Sequence, residues 1–191
     1  MKTVLLLALT LMLSAASYAA DTKPVEEVFE RYWSAYSKKN LAKAADDILP
    51  TDLENLKKEI LPVFLANQAP KDKEALEMVS LFFERRVGSA RQNMSPIDVY
   101  AGLNRIVMAG NPQMFELLKD AMVSVIFVRT PAPDEAEIHF QVTVRGESDT
   151  DAETLAKKNG RWWIRLKDDP KDTAEQFKQI LAGAAPRPPG K

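Results

Sequence analysis

From Ala136 to Arg145 the chain alternates without a break. Ala136, Ile138, Phe140, Val142 and Val144 are apolar, and Glu137, His139, Gln141, Thr143 and Arg145 are polar. Successive side chains of an extended strand point to opposite faces, so the pattern requires a strand with one face on a core and the other toward water. Half-buried strands of this kind belong to antiparallel sheets. A second signal follows at Asn159-Gly160, a dipeptide whose two residues both tolerate positive φ and which favours a two-residue hairpin. Such a tight turn sets register: Lys158 faces Arg161, Lys157 faces Trp162 and Leu155 faces Ile164. Trp162, Ile164, Leu166 and Leu155 then share the buried face, and Trp163 points the other way with Arg161 and Arg165. The outgoing strand of that hairpin runs roughly from Ala152 to Lys158. A β-branched and aromatic run from Val123 to Arg129 adds a strand in front, with Pro131 and Pro133 punctuating the turn. An antiparallel four-stranded sheet over 123–167 is expected.

Before residue 122 the period is helical. Val25, Val28, Phe29, Tyr32 and Tyr36 fall on one stripe, with Trp33 and Ala35 on its shoulders, after Pro24 and an acidic first turn. Asn40 is placed to cap a short helix carrying Leu41, Ala44, Ala45 and Ile48, which Pro50 stops. Thr51 and Glu54 read as a capping box for a helix carrying Leu53, Leu56, Ile60 and Phe64, and Pro62 should kink or end it. Leu76, Val79, Leu81, Phe82 and Phe83 mark a further helix with Gly88 placed to end it. Ser95, Pro96 and Asp98 give a start signal for a helix with Ile97, Tyr100, Leu103, Ile106 and Val107, closed by Gly110. Asn111-Pro112 starts another, with Met114, Phe115, Leu117, Leu118 and Ala121. After Pro170 a last helix carries Ala174, Phe177, Ile180 and Leu181. The fold class is therefore α+β: helices over 21–122 packed on a curved antiparallel sheet over 123–167, with a C-terminal helix over 170–183. The Ala- and Pro-rich stretch 184–191 reads as a disordered tail.

The first twenty residues read as a secretory signal peptide. Lys2 gives a positive start, Val4 to Leu13 is apolar except for Thr10, and small residues follow with Ser17 and Ala19 placed for cleavage after Ala19 or Ala20. An apolar run of about ten residues is too short to cross a hydrocarbon core of roughly 30 Å as a helix. Residues 21–183 then form a single domain located in the periplasm or secreted, with no transmembrane segment after cleavage. Lys2 is the one charged residue of the leader, so 25 basic and 27 acidic residues remain, far from the basic balance of a nucleic-acid binder. There is no cysteine. This excludes disulfides, thiol catalysis and thiolate metal sites, and leaves the core alone to hold the fold.

The helix from Val25 to Tyr36, the short Leu-rich helices, and the stretch Ala152 to Leu166 with Lys157, Lys158, Gly160, Trp162 and Ile164 together resemble the nuclear transport factor 2-like superfamily. The likeness is to its exported bacterial members of unknown function. The resemblance implies a sheet that wraps the helices into a cone. The open end of the cone would be a pocket, and the outer sheet face would be a surface for a homodimer. Related folds serve as isomerases, dehydratases, ligand binders and interaction modules. A short strand among the early helices, usual in such folds, has no counterpart in this sequence.

The residues that could carry chemistry are few. His139 is the single histidine, and Glu137 and Gln141 share its strand face. A histidine beside a carboxylate is the raw material of a general base. The plainer reading is a solvated strand face, because the alternation places His139 opposite the core residues. Glu147, Asp149, Asp151 and Glu153 are spaced as calcium ligands can be. However, the sixth-position glycine and twelfth-position glutamate of a calcium loop are missing, so an acidic loop is expected. Lys157, Lys158, Arg161, Arg165 and Lys167 cluster around the hairpin with Trp163 among them. They suit an anionic partner or, more plainly, the charge protection of an edge strand. Tyr32, Trp33 and Tyr36, with Trp163, are the candidate ligand-binding residues if a pocket exists. No phosphate loop, dinucleotide fingerprint, nucleophile elbow or zinc-binding helix motif is present, and no metal or cofactor is called for. Three readings follow. The first is a non-catalytic exported module binding a small apolar ligand or an envelope protein partner. The second is an isomerase- or dehydratase-like enzyme with His139 as base and Glu137 or a tyrosine as helper. The third is an envelope lipid carrier.

Overall fold

The computed structural model describes residues 21–183. The expected leader at 1–20 and tail at 184–191 lie outside the described residues. Helix α1 (Lys23–Ser37) opens with Pro24 and Glu26 in its first turn and buries Val25, Val28, Phe29 and Ala35. Helix α2 (Leu41–Ala45) is capped by Asn40, whose side-chain oxygen accepts from the Lys43 amide at 3.2 Å. Ile48, expected on that helix, lies beyond it and forms a parallel β-bridge with Ile164. The Leu49 amide donates to the Ile164 carbonyl at 2.9 Å, and the Ile164 amide donates to the Asp47 carbonyl at 2.8 Å.

Pro50 begins helix α3 (Pro50–Ala66) instead of stopping α2, because its missing N–H would have no intrahelical partner at a first position. The expected capping box does not form. Leu49 is the N-cap, so Thr51 already lies inside the first turn. The helix also runs through Pro62 to Ala66, with buried Ile60, Leu61, Val63 and Phe64 flanking the proline. Asp72 caps helix α4 (Lys73–Phe83) by accepting from the Ala75 amide at 2.9 Å. Gly88, expected to end α4, is five residues beyond its end and instead precedes the single turn α5 (Ser89–Gln92). Helix α6 (Pro96–Gly110) carries the expected capping box. The Asp98 amide donates to Ser95 Oγ at 3.1 Å, and the Ser95 amide donates to Asp98 Oδ2 at 3.0 Å. Helix α7 (Pro112–Leu118) buries Phe115.

The four strands are β1 (Met122–Ala132), β2 (Glu135–Val144), β3 (Glu147–Lys158) and β4 (Arg161–Ile164), hydrogen-bonded in chain order and antiparallel throughout. The hairpin register is the expected one, with Lys158 opposite Arg161 and Leu155 opposite Ile164. Two differences stand out. Pro131 lies within β1, so the turn is confined to Pro133 and Asp134. The expected acidic loop is the first half of β3: Arg145 and Gly146 take positive φ of 52° and 87°, and the strand returns at once along β2. Helix α8 (Pro170–Leu181) closes the described chain, with the Asp169 side chain accepting from the Lys171 amide at 2.8 Å.

The protein is thus α+β, helices followed by an open four-stranded antiparallel sheet and a C-terminal helix. Ala136, Ile138 and Phe140 of β2 face inward with Leu155, Trp162 and Ile164, and all six are buried. Phe29 meets Phe140 with ring centroids 4.6 Å apart, joining α1 to the sheet. Phe64 of α3 stacks on Phe82 of α4 at 3.8 Å, and Phe177 of α8 approaches Phe64 at 5.2 Å. Among the described residues no helix is long and apolar enough to cross a membrane.

Candidate functional site

Residues four apart on a helix lie on one face, so α1 presents Tyr32 and Tyr36 together, with ring centroids 5.9 Å apart and planes 21° from parallel. Helix α6 contributes Tyr100, Leu103 and Val107 to the same wall. The Tyr32 and Tyr100 hydroxyls are 3.4 Å apart. From the sheet side comes Glu153, which pairs opposite Ile138 and therefore shares the inward face of the sheet two residues from Leu155. Phe177 of α8 and the segment after β4 complete the wall. The cavity, open to solvent on one side, is about 340 Å³ and largely apolar.

Its polar groups are unusual for their surroundings. The Glu153 side chain is only 15% exposed. Burial pushes its carboxyl above the ordinary value. Lys167 works against that, and Asp151 adds to it. Lys167 Nζ lies 3.0 Å from Asp151 Oδ2 but 3.4 Å from Glu153 Oε1, so Asp151 holds the closer contact. Burial also raises the phenols of Tyr32, Tyr36 and Tyr100, and the charge of Glu153 raises each further. All three therefore remain protonated near neutral pH, able both to donate and to accept. The rim is fixed by Asp52 in the first turn of α3. It is buried and accepts from Arg165 Nε at 2.9 Å and from the Leu166 amide at 3.2 Å through one oxygen. That carboxylate ties the segment after β4 to the helical layer.

Of the residues marked in the sequence, Tyr32 and Tyr36 line this cavity. Trp33 turns from it and packs on Phe29 at 6.2 Å and Phe140 at 5.7 Å. Trp163 lies elsewhere, in a second hollow of about 310 Å³ with Ile48, Pro50, Leu53 and Ile97, and Arg161 covers its ring at 3.9 Å. His139 and Glu137 do meet, with Nε2 and Oε1 2.9 Å apart, but on the outer face of the sheet. There the imidazole stacks on Phe127 at 4.2 Å, and Arg129 also binds Glu137. Ile138 and Phe140 lie between that pair and the interior, so His139 does not reach the tyrosines. Phe29 and Phe140, around which the lipid-carrier reading expects an apolar tunnel, have buried rings in contact.

The basic cluster at the hairpin is largely partnered. Arg161 reaches Asp47 at 3.1 Å, Arg165 reaches Asp52, Lys167 reaches Asp151, and Lys157 lies 5.5 Å over the Trp162 ring. Among the described residues no group of three or more His, Asp and Glu side chains is placed to hold a metal ion. Tyr100, Glu153 and Lys167 are marked in the sequence only as a core residue, an acidic-loop residue and a member of the hairpin cluster, and not as lining of this site. Counting back two positions from Leu155 at strand period would have put Glu153 on the buried face. Tyr100 sat in the core list of its helix, where its hydroxyl was the overlooked signal.

The chain matches no family model, no curated protein and no solved structure.

Proposed function

We propose that this protein is an exported, non-catalytic binding module that holds a small, largely apolar ligand in the tyrosine-lined cavity. The observation that carries the reading is the cavity itself: about 340 Å³, walled by Leu56, Leu103, Val107 and Phe177, with Tyr32, Tyr36, Tyr100 and Glu153 converging in it. Small-molecule sites have this form, an apolar hollow of roughly 300–1,000 Å³ with a few placed polar groups. The volume stands at the lower end of that range, which favours a compact ligand. Export follows from the leader-like composition of residues 1–20, with its positive start, short apolar run and small residues.

Native mass spectrometry of the protein secreted by its own leader tests both parts. The expected result is a mature mass beginning near Ala20 or Asp21, with a small excess that disappears on denaturation. Val107→Trp fills the cavity from a half-exposed position, so the variant should lose the excess and keep its fold. A bare monomer from the native host would overturn the ligand reading. A doubled mass without small-molecule excess would replace it with a homodimeric interaction module.

A further inference from the structure

Among the described residues, the charges of the cavity wall and its immediate partners do not balance. Glu153, Arg165, Lys167 and Asp168 line it. Arg165 is committed to Asp52 at 2.9 Å, and Lys167 sits closer to Asp151 than to Glu153. Two cations thus stand among Asp52, Asp151, Glu153 and Asp168. Asp52 is more buried but is met by Arg165 and the Leu166 amide, whereas Glu153, 15% exposed, has only the longer Lys167 contact, and burial outweighs Lys167 in setting its proton affinity. Beside it lie the near-parallel rings of Tyr32 and Tyr36, then Tyr100 and Phe177. Aromatic faces carry negative electrostatic potential and attract cations.

Each ligand charge meets this wall differently. An anion would be repelled by Glu153 and Asp168, and the two cations of the wall, Arg165 and Lys167, are already paired with Asp52 and Asp151. A neutral body would displace water from Glu153 while leaving the carboxylate undercompensated. An ammonium would supply a charge-assisted donor to Glu153 and lie on the tyrosine rings. Resting on the cavity reading above, we propose that the ligand is a small amine bound as its ammonium cation. Its charged end meets Glu153 and its apolar body lies among Tyr32, Tyr36, Tyr100 and Phe177.

Isothermal titration calorimetry of the purified protein with phenethylamine, 2-phenylethanol and 3-phenylpropanoate tests this, because the three share one apolar body and differ in charge. The amine should bind about tenfold or more tighter than the alcohol, as one cation–aromatic contact and one charged hydrogen bond allow. The propanoate should bind weakest. Glu153→Gln should remove most of the amine's advantage over the alcohol, leaving only the share of the aromatic contact, and Val107→Trp should abolish both. Alcohol affinity equal to or above that of the amine would overturn the amine assignment and leave the apolar-cavity reading standing. An amine preference undiminished in Glu153→Gln would overturn Glu153 as the anchor. No binding of any of the three would remove both readings.

Discussion

The Cβ that Gly102 lacks would stand 2.8 Å from the carbonyl oxygen of Phe82 and 2.9 Å from its Cδ2. Helices α4 and α6 therefore meet almost backbone to backbone. Arg105, one turn along, fixes the contact by donating from Nε to the Leu81 carbonyl at 2.9 Å and from Nη2 to the Phe82 carbonyl at 3.0 Å. Alanine in place of glycine favours a helix by about 1 kcal/mol, but overpacking against an immobile carbonyl costs about 1–3 kcal/mol. Gly102→Ala should lower stability, with the melting temperature falling roughly 2–4 °C per kcal/mol for a chain of this size. A melting temperature at or above that of the parent would show that α4 can shift.

Asp52 serves one side chain and one backbone amide, and both belong to the rim of the cavity. Asp52→Ala leaves the Leu166 amide without that acceptor, a loss of about 1–3 kcal/mol for a group away from water. Arg165 is half exposed and regains solvent, so its share is small. Urea titration measures the loss. Proteolysis should also find the Arg165–Asp169 segment more readily in the variant than in the parent, and equal cleavage would show that Asp52 does not anchor it.

Glu153 gives a pH dependence of definite sign. Burial raises its carboxyl in the folded protein, so the folded state holds that proton more tightly than the unfolded chain does. Its contribution to stability is fully present below the unfolded value of about 4.3 and is lost as pH rises through the folded one. Glu153→Gln lacks this loss. Relative to the parent, the variant should therefore gain stability between about pH 4 and neutrality, read by urea midpoints across that interval. A difference that stays flat with pH would mean that Lys167 offsets the burial fully.

His139 belongs to the outer face, stacked on Phe127 and joined to Glu137. His139→Ala should leave phenethylamine affinity within about twofold of the parent, since Ile138 and Phe140 separate it from the cavity, and distant sites act independently. A tenfold loss would return His139 to the site. Melting temperature should fall only slightly, because the stack is half exposed.

The most regular features were the most legible. The alternation through Phe140, the register around Asn159-Gly160, and the reciprocal bonds of Ser95 and Asp98 are local patterns with one structural solution each. The first half of β3 was hidden because Glu147, Asp149 and Asp151 are poor strand formers alone, and only pairing with β2 makes them extended. Gly88 and Pro50 were punctuation read on the wrong side: the same backbone restrictions suit the start of one helix as well as the end of another. The cavity was half legible. Tyr32 and Tyr36 come from one helical stripe, whereas their meeting with Tyr100 and Glu153 depends on long-range packing that no local period encodes.

The bridge between Ile48 and Ile164 has a consequence for assembly. In a sheet ordered β1 to β4, it occupies hydrogen-bonding positions at Ile164, on the side of β4 away from β3. The other outer strand, β1, contains Pro131, which has no N–H to offer a newcomer. A fibre needs two open sides that repeat, one to receive and one to extend. Here one flank is plugged by the chain itself and the other is interrupted. A stray strand that docks on β1 would meet no matching site on the far side from which to propagate.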